Sequence, residues 1–150
     1  MPGDDVLVEW EDRYSVGIPF IDDQHKKLVE LTNDLYKGCL LGGGEARDYF
    51  MKVIRGVVDY VKYHFAAEEK ILEKVKYPGL AEHKKEHEGF IKQVVGDVKN
   101  FQEGKQFVPN VFVRYLKDWI LTHIAVQDKQ YADFIINLKK QGGLNLGSQS

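Results

Sequence analysis

The chain has 150 residues, 43% hydrophobic and 29% charged, and its 21 Lys and Arg against 23 Asp and Glu give a net charge of −2. That length supports one core and excludes two large domains, while the lack of a dense basic block excludes a phosphate-tracking surface, so no nucleic-acid partner is expected. A lone cysteine, Cys39, cannot close an internal disulfide; with no secretory pattern at the N-terminus and no run of about 18 apolar residues, a cytoplasmic location without a membrane span is expected.

Residues 1–18 read as a nonhelical arm, docked by Trp10. Pro19 opens a helical stripe of Ile21, His25, Leu28, Thr32, Leu35 and Cys39, which ends near the glycine cluster in a connection at 40–46. The second stripe is Phe50, Val53, Val57, Tyr60, His64, Glu68, Ile71 and Val75, and Pro78 marks a connection at 76–80. The third is His83, His87, Phe90, Val94, Val98 and Phe101, followed by a connection at 102–110. The fourth is Phe112, Leu116, Trp119, His123, Gln127, Tyr131, Phe134 and Leu138, before a polar tail at 139–150. Short links favour antiparallel neighbours, so the expected fold is all-α: one domain, an up-down-up-down four-helix bundle at 19–138 behind the arm.

All five histidines fall on these apolar stripes. If a core face takes about 3/7 of helical positions, chance does this roughly one time in 70. A single buried histidine is ordinarily a satisfied core residue; five beside carboxylates call for another account. Antiparallel packing brings the early parts of the first and third helices level with the later parts of the second and fourth, so His25, His64, Glu68, His83, His87, His123 and Asp128 can share one layer. His64 and Glu68, like His83 and His87, are i, i+4 neighbours on one face. His123 and Asp128 are five apart, about 140° around a regular helix, so Asp128 joins only through a local widening such as a π-bulge.

Five imidazoles and two carboxylates suit borderline transition metals and not Ca²⁺ or Mg²⁺. Seven ligands exceed one ion. With two octahedral metals and both carboxylates bridging, the side chains fill about nine of twelve bonds, a bridging solvent oxygen adds two, and one position stays open.

The ordered set Gly17-Ile18-Pro19, Asp23-Gln24-His25, His64-Phe65-x-x-Glu68, His83-x-x-x-His87 and Trp119-Ile120-x-x-His123-x-x-x-x-Asp128 resembles the hemerythrin family in its single-domain bacterial form, over roughly residues 8–138. That resemblance implies two iron ions (Fe²⁺/Fe³⁺) with a bridging oxo or hydroxo group and reversible binding of O₂. It places His83, His87 and His123 on one iron, His25 and His64 on the other, and Glu68 and Asp128 between them. It further implies O₂ bound end-on as hydroperoxide at the two-histidine iron, inside an apolar pocket of Leu28, Phe65, Trp119, Ile120 and Ile124. Such a protein is not an enzyme; it serves oxygen storage, delivery or sensing, with an oxygen-using enzyme or a signalling partner as recipient. Its oligomeric state is not legible in the residues.

Two other chemistries use the same residues. His83-Lys84-Lys85-Glu86-His87 fits the H-x-x-E-H signature of zinc peptidases, but that reading leaves His25, His64 and His123 without a role and treats Glu86 as more than a solvated or supporting carboxylate. A di-iron redox enzyme acting on peroxide or nitric oxide is the stronger alternative. Such enzymes are carboxylate-rich, whereas neutral imidazoles dominate here and favour a reversible Fe(II) cycle. Cys39 reads as a packing residue, Tyr63 as the tyrosine to check beside His64, and the lysines around Lys26 and Lys84 as solvated faces.

Overall fold

The computed structural model describes residues 6–41, 43–105 and 109–142. Its helices are α1 (Pro19–Leu41), α2 (Gly43–Lys74) and α3 (Leu80–Gln102), followed by a fourth rod made of α4 (Pro109–Thr122), a π-helical turn (His123–Asp128) and α5 (Lys129–Lys140). This is the expected up-down-up-down four-helix bundle with an N-terminal arm. Pro19 and Pro109 each occupy the first helical position, where a missing N–H costs no hydrogen bond. α1 packs on α2 and on α4, and α2 packs on α3; stacking of Phe90 on Trp119, with centroids 4.0 Å apart, joins α3 to α4.

Several boundaries differ from expectation. The first connection is much shorter than 40–46, because α2 already starts at Gly43, with Glu45 in its first turn to complement the helix dipole. Among its described residues the arm carries one helical piece, a 3-10 turn at Asp12–Tyr14. The expected tail at 139–150 begins helical, since α5 runs to Lys140; its remainder from 143, like residues 1–5 of the arm and 106–108 of the third connection, lies outside the described residues.

The arm is held along α1 by side chains of the helix itself. Asn33 Oδ1 accepts from the backbone N–H of Leu7 at 3.0 Å and Val8 at 2.9 Å, and its Nδ2 donates to the Val8 carbonyl at 2.8 Å. Asp22 accepts from the Val16 N–H at 2.8 Å and the Ser15 hydroxyl at 2.5 Å. Between these clamps Trp10 packs against the core and meets Tyr14 edge-on at 5.6 Å. Gly17 turns the chain into α1 at φ +79°, a conformation that excludes most side chains. At the other end of α1, Gly38 lets Tyr49 of α2 lie against the helix backbone.

Two apolar clusters flank a polar layer. One contains Leu28, Leu35, Phe50, Ile54, Val61, Phe65, Phe90, Leu116, Ile120 and Ile124, and the other Val16, Ile18, Ile21, Leu72, Val75, Tyr131, Ala132 and Ile135. The buried faces are rotated slightly from the stripes read in sequence. On α2, Ile54, Val61 and Leu72 are buried where Val53, Tyr60 and Ile71 are only partly so. On the fourth rod, the π turn inserts a residue, and the buried positions after it become Asp128, Tyr131, Ala132 and Ile135, leaving Gln127, Phe134 and Leu138 at the flank.

Candidate metal centre

The polar layer consists of the seven side chains singled out in sequence: His25 from α1, His64 and Glu68 from α2, His83 and His87 from α3, His123 and Asp128 from the π turn, all buried. Asp128 joins because the backbone widens over His123–Asp128, so that a residue five positions on returns to the same face. His123 Nε2 then lies 3.0 Å from Asp128 Oδ1.

These atoms converge on two points. Glu68, His83, His87 and His123 form one group and His25, His64, Glu68 and Asp128 another, with the ligand atoms in each group within 4.8 Å of one another. Glu68 belongs to both. Asp128 also faces both sides, with Oδ1 at 3.2 Å from His83 Nε2 and Oδ2 at 2.9 Å from His25 Nε2.

The hydrogen bonding of the histidines fixes which nitrogen faces inward. His64 Nδ1 lies 2.6 Å from Gln24 Oε1, and His87 Nδ1 lies 2.8 Å from Glu69 Oε2. Both oxygens are acceptors, so each Nδ1–H donates and each neutral ring keeps its lone pair on Nε2. His87 Nε2 in turn lies 3.1 Å from His123 Nε2. That contact is a hydrogen bond when one ring carries its proton there, and the same spacing suits two nitrogens on one metal, because cis ligands at about 2.1 Å from one octahedral ion stand ~3.0 Å apart. His25 Nε2, His83 Nε2, Glu68 Oε1 and both Asp128 oxygens are buried without a hydrogen-bond partner among the described residues. Orphans of this kind are rare, and here they face one another; the donor set fits divalent metal ions.

Without a metal the layer must hold protons. Burial pushes the His25 and His83 imidazoles down, but the adjoining Asp128 and Glu68 carboxylates outweigh it and lift both to about 9. Burial likewise raises Glu68 and Asp128, yet the surrounding imidazoles win and hold both carboxyls below their ordinary range. Burial and the adjacent Glu68 raise the Tyr131 phenol well above its usual value.

Beside the layer is a cavity of about 10 Å³ lined by Leu28, Val61, Phe65, Phe90, Trp119, Ile120 and Ile124, with His123 and Asp128 at its polar end. All five pocket residues expected from sequence line it. The volume is near the minimum of roughly 10–15 Å³ that a water needs, and apolar walls offer such a molecule few hydrogen bonds.

Supporting residues were harder to foresee. Glu69 and Gln24 bond the outer nitrogens of His87 and His64. Glu86 Oε2 approaches His123 Nδ1 at 3.6 Å, while Gln127 donates to Glu86 Oε1; the glutamate of H-x-x-E-H therefore sits behind His123. Tyr131 donates its hydroxyl to Glu68 Oε2. The only sequence signal for these residues was adjacency to a ligand or a place on a stripe. Tyr63 is 58% exposed, so it points away from the layer despite neighbouring His64. Cys39 is partly buried against the larger core cluster.

The profile of the family described as Hemerythrin HHE cation binding domain matches residues 16–135. A bacteriohemerythrin from Stenotrophomonas maltophilia is 37% identical over 127 residues, covering 85% of this chain and 80% of the relative. Another, from Clostridium acetobutylicum, is 32% identical over 128 residues, covering 83% and 98% respectively. Among solved structures, wild-type hemerythrin matches with a TM-score of 0.80 at 30% identity, over 85% of this chain and 97% of that one.

Proposed function

This chain belongs to the hemerythrin family, and on that premise we propose that it binds O₂ reversibly at a non-haem di-iron centre, as a carrier or sensor and not as an enzyme. The observation that carries the reading is the buried layer in which two ligand groups share Glu68 and abut an apolar cavity. His83, His87 and His123 would hold one iron, His25 and His64 the other, with Glu68 and Asp128 bridging. The unit is a single domain, with its arm at 1–18 and its bundle at 19–140. A cytoplasmic location is consistent with the absence, among the described residues, of any helix long and apolar enough to cross a membrane.

The chemistry supplied by a bound pair of irons is reversible electron donation to O₂. The protein's part is geometric and electrostatic. Three imidazoles in one group and two in the other leave the second group with the smaller histidine complement, and so with the place for an exogenous ligand. Leu28, Phe65, Trp119, Ile120 and Ile124 exclude water and anions from the cavity, which limits irreversible oxidation. The preponderance of neutral histidine over carboxylate supports a carrier over a redox enzyme acting on peroxide or nitric oxide. Gas-tight titration of the reduced, iron-loaded protein tests this: one O₂ taken up per two irons and recovered on degassing supports the reading, and consumption without recovery overturns it.

A further inference from the structure

The histidine layer is chemically lopsided one shell out. Every ligand imidazole points Nε2 inward, within 3.3 Å of a carboxylate oxygen of Glu68 or Asp128 for His25, His64, His83 and His123 and at 3.4 Å for His87. The outward nitrogen is left to the surroundings. In the group of three histidines the outer nitrogen of His87 bonds an anion, Glu69 at 2.8 Å, and the Glu86 carboxylate stands 3.6 Å from His123 Nδ1, close enough to act by charge though not by a hydrogen bond. In the group of two it meets the neutral amide of Gln24 at His64, while His25 Nδ1 is buried with no partner among the described residues.

We propose that Glu69 and Glu86 are positioning residues that make the three-histidine half the tighter metal holder, with neutral Gln24 leaving the His25–His64 half the more labile. This deepens the proposed function and rests on its assignment of two metals to the layer. A carboxylate accepting from Nδ1–H, as Glu69 does from His87, locks the tautomer and ring orientation and makes the distal nitrogen a stronger donor; Glu86 adds its charge beside His123 without that bond, and an amide locks the ring but adds no charge. Glu69 keeps 27% of its side chain exposed, so its charge sits at the rim, where hydration offsets the cost of burying it; Glu86 keeps 35%, although its Oε2, the oxygen nearest His123, is buried. Gln127, brought round by the π turn, donates to Glu86 Oε1 and so turns Oε2 toward His123. The turn that recruits Asp128 therefore also fixes a negative charge near His123.

Anaerobic titration of the metal-free full chain with Co²⁺, followed by the cobalt absorption bands and by calorimetry, separates the two sites without O₂. The unaltered protein should take up two ions in resolved steps. Glu69→Gln keeps the side chain's shape and its ability to accept a hydrogen bond, removing only the charge; it should weaken the first step about 10- to 100-fold and leave the second nearly unchanged. Glu86→Gln should act in the same direction, less strongly at its longer distance. Gln24→Glu, which adds charge at the other half, should tighten the second step and narrow the gap between steps. A merely structural role predicts no response to these near-isosteric changes. Two ions bound with an unchanged ratio in both Glu69→Gln and Gln24→Glu overturn this inference alone, whereas uptake of fewer than two ions by the unaltered chain overturns the two-metal reading and the inference with it.

Discussion

Stripped of metal, the protein should lose stability as the pH rises from about 6.5 to about 9. In the folded chain His25 and His83 stay protonated up to about 9, although burial opposes it, because Asp128 and Glu68 lie against them; in the unfolded chain they titrate near 6.5. The fold therefore binds more protons than the unfolded chain between these values, and stability present below 6.5 is lost as the pH climbs through 9. At about 1.4 kcal/mol per pH unit, the gap corresponds to ~3 kcal/mol for one histidine. Both imidazoles lean on the same two carboxylates, so the pair contributes about that much in total and not twice as much. For a domain of this size each kcal/mol moves the midpoint by about 2–4 °C, giving a fall of about 6–12 °C. Thermal unfolding of the metal-free chain followed by circular dichroism at pH 6.5 and 9 measures it, with the metal-loaded chain alongside. The loaded form should melt higher and vary little over this window, because metal takes the place of the protons. A metal-free midpoint that holds or rises between the two pH values would refute the reasoning.

Glu68→Ala or Asp128→Ala should each lower iron content below two per chain, because each carboxylate faces both ligand groups; full iron content by elemental analysis in both variants contradicts bridging. Ile120→Ala removes a buried wall of the cavity, so it should cost about 2–5 kcal/mol of stability and speed decay of the O₂ adduct while leaving iron bound. An unchanged decay rate places the wall elsewhere. Gly38→Ala puts a methyl against the Tyr49 ring where α1 meets α2, costing about 1–3 kcal/mol; because the site lies far along the helix, urea unfolding should shift while the iron spectrum does not.

The fold and the convergence of the seven polar side chains were largely legible because both depend on helical periodicity, which sequence displays directly. His64 with Glu68 and His83 with His87 needed only the i, i+4 rule. Asp128 was legible as a conflict, a needed ligand on the wrong face, and the π turn resolves it. The same turn explains why the stripe through Gln127, Phe134 and Leu138 was misplaced: one inserted residue rotates everything after it. Which histidine each supporting residue meets could not be read, although Glu86 already reads as a solvated or supporting carboxylate. Gln24 meets His64 across 40 positions and Glu86 meets His123 across helices, and such contacts depend on helix rotation and rotamer, which no local spacing encodes. Tyr63 shows the converse, since adjacency to His64 in sequence turns it about 100° round the helix and out to solvent.

The most direct test of the central claim is the optical spectrum of the iron-loaded protein, recorded reduced under nitrogen, then in air, then again under nitrogen. A coloured band that appears with O₂ and fades on its removal over repeated cycles is the predicted result. A band that forms once and persists, or a spectrum indifferent to O₂, contradicts reversible binding at this site.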